Sequence, residues 1–79
     1  MIKVLFFATL REKLDCHQIN VDTQKTVSSL ISHLSERSPL WKQTLSGQVL
    51  CAVNQQMATL DDALNDGDEV AFFPPVTGG

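Results

Sequence analysis

The sequence predicts an α+β domain, a mixed sheet of four to five strands with one main helix across one face. Three observations predict it. One clear helical stripe is present, formed by Val27, Leu30, Ile31 and Leu34 at i, i+3, i+4 and i+7. Short apolar or alternating runs lie on both sides of it, separated by turn residues. The chain has 79 residues, 43% of them hydrophobic and 19% charged, which suits one small core and excludes a multi-domain enzyme or a repeat array. Laying the stripe on a single sheet is the simplest way to bury it.

Residues 2–10 read as the first strand. Ile2, Val4, Leu5, Phe6 and Phe7 put apolar groups on both faces, so the strand belongs in the middle of the sheet. Arg11 to Asp15, dense in charge, reads as a turn. His17 to Val21 alternates, with Ile19 and Val21 on one side, and fits an edge strand antiparallel to the first. Thr26 can cap the helix with its hydroxyl, Ser28, Ser29, Ser32, Ser35 and Glu36 cover the wet side, and Pro39 stops it. A second helical turn is expected at 39–45. Ser38 would cap it, Pro39 would occupy the first position, where no N–H is missed, and Gly47 would end it. Trp41 and Leu45 then share a face, with Trp41 as a lid on the core.

Val49 to Val53 reads as a third strand, Asn54-Gln55 as a turn, and Gln56 to Thr59 as a fourth strand. Leu60 to Leu64 reads as a helical turn, Asn65-Asp66-Gly67-Asp68 as a tight turn, and Glu69 to Phe73 as the last strand. The first and last strands are rich in apolar residues and fit a parallel central pair with antiparallel hairpins outside. That is the β-grasp, or ubiquitin-like, arrangement. Residues 1–73 would form the domain and residues 74–79 a protruding tail.

Composition argues against several classes. The formal net charge is −3, and Lys3, Arg11, Lys13, Lys25, Arg37 and Lys42 are scattered along the chain. A nucleic-acid binder or a protein of anionic membrane surfaces clusters its cations, so neither is expected. The longest apolar run, Val4 to Ala8, is far below a membrane span, and the N-terminus enters a strand with no basic leader, so a cytoplasmic protein is expected. Cys16 and Cys51 form no CxxC motif and are no disulfide framework. His17 and His33 are isolated, so no metal site is expected. No active site is visible within the domain.

Two features exceed what folding requires. Lys3 on the first strand and Glu69 on the last mark the wet side of the sheet. Strand parity puts Leu5, Phe7, Ala71 and Phe73 on that side, with Met57 joining from the fourth strand. A contiguous apolar patch rimmed by charge marks a binding surface, unless the 55–66 loop folds over it. The second feature is the ending Phe73-Pro74-Pro75-Val76-Thr77-Gly78-Gly79. Prolines cannot continue a central ladder and favour a stiff polyproline-II exit. Six extended residues reach about 20 Å. Gly78 and Gly79 carry no side chain to clash in a narrow channel, and they leave the terminal carboxylate open to activation.

These residues resemble the family of small subunits of molybdopterin synthase, the ubiquitin-like sulfur carriers of molybdenum-cofactor biosynthesis. The resemblance covers nearly the whole chain. It rests on Met1 to Ala8, Leu10-Arg11-Glu12, Ala52-Val53-Asn54-Gln55, and above all Asp66 to Gly79. The thiamine-pathway carrier shares the fold and the Gly-Gly end but lacks the Phe-Phe-Pro-Pro exit. The resemblance implies a co-substrate rather than an enzyme. An activating enzyme would use ATP to adenylate Gly79, and a sulfur donor would convert the adduct to a thiocarboxylate. The carrier would then dock on the large subunit, in a heterotetramer of two large and two small chains, and donate sulfur to a cyclic pyranopterin precursor. Gly78 would be the threading spacer. Phe7, Met57 and Phe73 would dock partners, Arg11 would add a polar contact at the rim, and Pro74, Pro75, Val76 and Thr77 would line the partner's channel. No bound cofactor is implied, and Cys16 and Cys51 are given no part. The alternatives are a carrier for another pathway, such as the thiamine one, or a ubiquitin-like protein modifier.

Overall fold

The computed structural model describes residues 1–75. Its strands are β1 (Ile2–Phe6), β2 (Gln18–Val21), β3 (Leu50–Val53), β4 (Gln56–Ala58) and β5 (Glu69–Phe73). They form one five-stranded sheet in the order β2-β1-β5-β3-β4. The central pair is parallel, with Val4 opposite Val70 and Phe6 opposite Phe72. The β1–β2, β3–β4 and β3–β5 pairs are antiparallel. The β-grasp expectation holds, with five strands. Ile2, Val4, Phe6, Val70 and Phe72 line one face of the central pair and are at most 1% exposed. Burial of that order contributes about 2 kcal/mol per large side chain, which makes this pair the axis of the core.

Three helices accompany the sheet: α1 (Ala8–Leu14), α2 (Val27–Ser35) and α3 (Pro39–Ser46). The stripe of α2 is buried through Val27, Leu30 and Leu34, and Thr26 Oγ1 accepts the Ser29 N–H at 3.1 Å. In α3, Ser38 Oγ accepts the Trp41 N–H at 3.2 Å, with Pro39 in the first turn. The Trp41 ring meets Phe6 edge-on at 5.4 Å, and Phe6 stacks on Phe72 at 5.9 Å. The Arg37 guanidinium covers the Trp41 ring at 4.8 Å, so Trp41 closes the core as expected.

Two segments differ from the sequence reading. The first strand stops at Phe6, and residues 8–14 form α1 instead of a strand end followed by a charged turn. Leu10 and Leu14, at i and i+4, are both buried, and the segment between them consists of strong helix formers. The chain leaves the sheet through Ala8, whose φ is +53°. Asp15 ends α1 in the left-handed region, its N–H bonded to the carbonyls of Arg11 and Glu12. Residues 60–64, expected to form a helical turn, make a single turn confined to Leu60-Asp61, closed by the Asp62 N–H on the Thr59 carbonyl at 3.2 Å and by the Asp62 carboxylate on the Thr59 N–H at 3.0 Å. The segment is then drawn out beside the start of α2, with Ala63 bridged to Thr26. The first N–H groups of a helix have no partner within it, and carbonyls from this segment supply two. Asp62 accepts from Val27 at 3.1 Å and Leu60 from Ser28 at 3.0 Å. Smaller shifts occur at four ends: β2 starts at Gln18, β3 starts at Leu50, β4 stops at Ala58, and α3 runs on to Ser46.

The β3–β4 hairpin turns on Asn54 and Gln55, with φ values of 50° and 70°. Such a two-residue turn wants left-handed backbone at both positions, a conformation that strains a side chain such as that of Gln55. Gln55→Gly is expected to stabilise the domain by about 0.5–1 kcal/mol after the entropy of glycine is discounted. The thermal midpoint should rise by roughly 3–6 °C in a circular-dichroism melt. A midpoint that fell would show that the glutamine side chain holds the turn.

Candidate functional site: an uncovered sheet face beside the C-terminal exit

All three helices send their buried side chains into one core, on the side of Ile2, Val4 and Phe6. Strand alternation presents the other set of side chains away from it. The pairing register aligns this set across the sheet. Gln18, Leu5, Ala71, Ala52 and Met57 stand side by side on β2, β1, β5, β3 and β4. Leu50 lies opposite Phe73 towards the end of β5. Phe7 follows β1 in extended backbone, its N–H bonded to the Phe72 carbonyl at 3.1 Å, so it keeps the parity of the strand. On the other side of the row, Lys3 Nζ and Glu69 Oε2 are 4.0 Å apart and form the charged margin.

This face is uncovered among the described residues. Phe7 is 47% exposed and Met57 65%, while Leu5, Leu50, Ala52, Ala71 and Phe73 are half-buried. Residues 59–64 do not fold over it. They are held at the start of α2 by the bonds to Val27 and Ser28 and by the Leu64 N–H on the Lys25 carbonyl at 2.9 Å. The structure thus brings together Phe7, Phe73 and Met57, and adds Leu50 and Ala52, which the sequence reading missed. Their strand, Leu50-Cys51-Ala52-Val53, is apolar throughout and carries no polar residue to mark which side is wet. Only its pairing with β5 reveals the parity.

Arg11 is exposed on α1, beside a shallow groove that it shares with Glu12, Asp15, Cys16 and His17. It forms no ion pair among the described residues. Pro74 and Pro75 are half-buried. Pro75 stands between two grooves that share Gly47 and Gln48. The first, about 430 Å³, is walled by Ile31, Val49 and Leu60, and the second, about 610 Å³, by Leu10, Lys13 and Leu40. The chain therefore leaves the sheet at the end that bears Phe7 and Phe73. Val76, Thr77, Gly78 and Gly79 lie outside the described residues.

The thiols offer no competing centre. Cys51 faces the core, with Sγ 3.5 Å from the Ala58 carbonyl. Burial, and secondarily the charge of Asp62, pushes its pKa up, so it stays a neutral and poorly nucleophilic thiol. The Cys16 Sγ points at the Gln18 carbonyl at 3.5 Å. Among the described residues no group of three His, Cys, Asp or Glu could hold a metal ion, and no helix is long and apolar enough to cross a membrane.

Comparison with known proteins extends these observations. The ThiS family matches residues 4–79. The molybdopterin synthase sulfur carrier subunit of Escherichia coli (strain K12) is 50% identical over 82 aligned positions, covering 100% of both chains. A chain in the solved complex of subunits 1 and 2 of molybdopterin-converting factor from Helicobacter pylori 26695 is 26% identical. It superposes with a TM-score of 0.71 over 99% of this chain and 97% of its own. The small archaeal modifier protein 1 from Methanosarcina acetivorans is 25% identical, with a TM-score of 0.82 over 99% of this chain and 95% of its own.

Proposed function

The chain belongs to the ThiS family and, within it, to the molybdopterin synthase sulfur carrier subunits, and from that footing we propose that its working group is the terminal carboxylate of Gly79. A carboxylate is a poor electrophile. An activating enzyme joins it to the α-phosphate of ATP and releases pyrophosphate, giving an acyl-adenylate. Sulfide-level sulfur from a donor attacks the acyl carbon, AMP leaves, and a thiocarboxylate remains. Docked on the large synthase subunit, the carrier threads its tail into that subunit's active site, with Gly78 as spacer and Pro74 to Thr77 in the channel. There its sulfur attacks a carbon of the cyclic pyranopterin precursor, and the oxygen bonded to that carbon departs. Hydrolysis of the resulting acyl link returns the carboxylate, and two rounds supply the two sulfurs of the dithiolene. The catalytic side chains belong to the large subunit. The assembly is a heterotetramer of two large and two small subunits in the cytoplasm, and the carrier needs no bound cofactor of its own.

One observation carries this reading. β5 bears Ala71 and Phe73 on the uncovered face and runs directly into Pro74 and Pro75. A partner that grips the face therefore also fixes where the tail begins, and pre-positioning of this kind lowers the cost of ordering the rest. Phe7, Met57 and Phe73 are the anchors, and Arg11 a contact at the rim. An acidic group in place of an exposed anchor should disrupt docking without harming the core. Phe7→Asp is expected to weaken binding to the large subunit by about 30-fold, in line with the loss of a central aromatic anchor. Titration calorimetry measures it, and unchanged affinity would remove Phe7 from the interface.

The direct test is the intact mass of the chain after incubation with activating enzyme, ATP and a sulfur source. It should rise by the difference between sulfur and oxygen, and fall again once the large subunit and the pterin precursor are added. A mass that never changes would sink the proposal. The likeness to the archaeal modifier favours a second reading, attachment of Gly79 to lysines of other proteins. Isopeptide-linked Gly-Gly remnants on foreign peptides would support it, and a stable complex with the large subunit supports the first.

A further inference from the structure

We propose that Asn54 is a positioning residue for the docking face: its side-chain amide locks the β3–β4 hairpin to the start of β5 and so sets where β4 carries Met57. This rests on the reading of that face as the docking surface. The β3–β5 ladder has its last pair at Val53 and Val70. Asn54 has already turned into the left-handed region, with φ 50°, and cannot continue as a strand. Its backbone N–H still donates to the Glu69 carbonyl at 2.7 Å, and its side-chain Oδ1 accepts the Glu69 N–H at 3.0 Å. One residue thus satisfies both backbone groups of Glu69, the side chain doing what the next strand residue would have done.

The same amide makes a third bond. Nδ2 donates to the Asp68 Oδ1 at 3.0 Å, while the other Asp68 oxygen accepts the Asn65 N–H at 2.8 Å. The Asn65 N–H and then the Asn54 amide hold the Asp68 carboxyl below its usual range, so the acceptor is ionised and its hydrogen bonds are charge-assisted. The position needs a residue that tolerates left-handed backbone and offers both a donor and an acceptor. Asparagine meets both demands, glycine lacks the amide, and aspartate lacks the donor.

The consequence falls on β4. It has three residues, lies at the sheet edge, and has β3 as its one sheet neighbour. Met57 stands on it opposite Ala52 and is 65% exposed. The turn closed by Asp62 holds the far end of β4, and the Asn54 clip holds the near end. Where Met57 stands relative to Phe73 then depends on the tilt of the hairpin against β5, which the clip fixes.

A double-mutant cycle tests this, read as affinity for the large synthase subunit, with the thermal midpoint of every variant measured alongside. Asn54→Gly keeps the left-handed backbone and removes the amide. It is expected to weaken binding about 5-fold, the usual size of a coupling between neighbouring residues. In a Met57→Ala background the same substitution should change affinity less than twofold, because the side chain through which Asn54 acts is gone. Asn54→Asp, which keeps the acceptor but sets a carboxylate beside Asp68, should follow the same pattern and serves if the glycine variant is too unstable. Equal losses in both backgrounds, or no loss in either, would overturn the proposal. Failure of the unaltered chain to bind would overturn the docking reading itself, and this proposal with it.

Discussion

Removal of Gly79 alone is expected to abolish sulfur loading while leaving the thermal midpoint of the domain unchanged. The described residues already form a closed core. Among the described residues its last contributors are Val70 and Phe72, each with no exposed surface, and the strand that carries them ends at Phe73. The reacting group, in contrast, is the terminal carboxylate at the end of a segment about 20 Å long when extended. Shortening that segment by one residue leaves a carboxylate on Gly78, withdrawn by roughly 3.5 Å. Misplacement of a reacting atom by even an ångström costs on the order of a hundredfold in rate, so a whole residue takes it out of reach. Intact mass after incubation with activating enzyme, ATP and sulfide reads the first half, and a circular-dichroism melt the second. A shortened chain that still gains sulfur would place the chemistry elsewhere. A shortened chain that melts early would give Gly79 a structural role.

The second large effect lies in the core. Phe6 is 1% exposed, stacked on Phe72 on one side and met edge-on by Trp41 on the other. Phe6→Ala removes the ring that joins sheet to lid. Substitutions of this kind cost about 3–5 kcal/mol, from lost transfer energy and from the cavity left behind. A core in a chain this small rarely supplies more than about 3–5 kcal/mol in total. The variant is therefore expected to be largely unfolded at 25 °C, with its Trp41 fluorescence shifted towards that of a solvent-exposed indole. Phe6→Leu, which keeps most of the volume, should remain folded with a lowered midpoint. A folded Phe6→Ala protein with a normal urea midpoint would mean that Trp41 closes the core without support from Phe6.

Much of this architecture was legible because the signals were local. The stripe of α2 and the caps at Thr26 and Ser38-Pro39 each depend on residues within a turn or two, and each stands as read. The failures share a different cause. The Val4 to Ala8 run is apolar on both sides of the point where the chain leaves the sheet, so the boundary at Phe6 is invisible in it. Only Leu10 and Leu14 signal α1, too few to outweigh the charges around them. Residues 60–64 are shaped by free N–H groups at the start of α2, more than thirty positions earlier in the chain. The docking face divides the same way. Lys3 and Glu69 betray the parity of their strands, and Leu5, Phe7, Ala71 and Phe73 could be assigned from them. β3 has no such marker, and Leu50 and Ala52 emerged only with the register.

The placement of β5 has a bearing on biosynthesis. It is the last of the five strands to be made, yet it occupies the middle of the sheet, flanked by β1 and β3, which were made long before. Until residues 69–73 are free of the exit tunnel, β1 and β3 have nothing to join them and the hydrophobic interior stays open. Folding is thereby postponed until β5 is made, and a chain terminated before it lacks its keystone and is left as prey for proteases. Only molecules that already contain β5, and with it the point from which the tail departs, reach the folded pool.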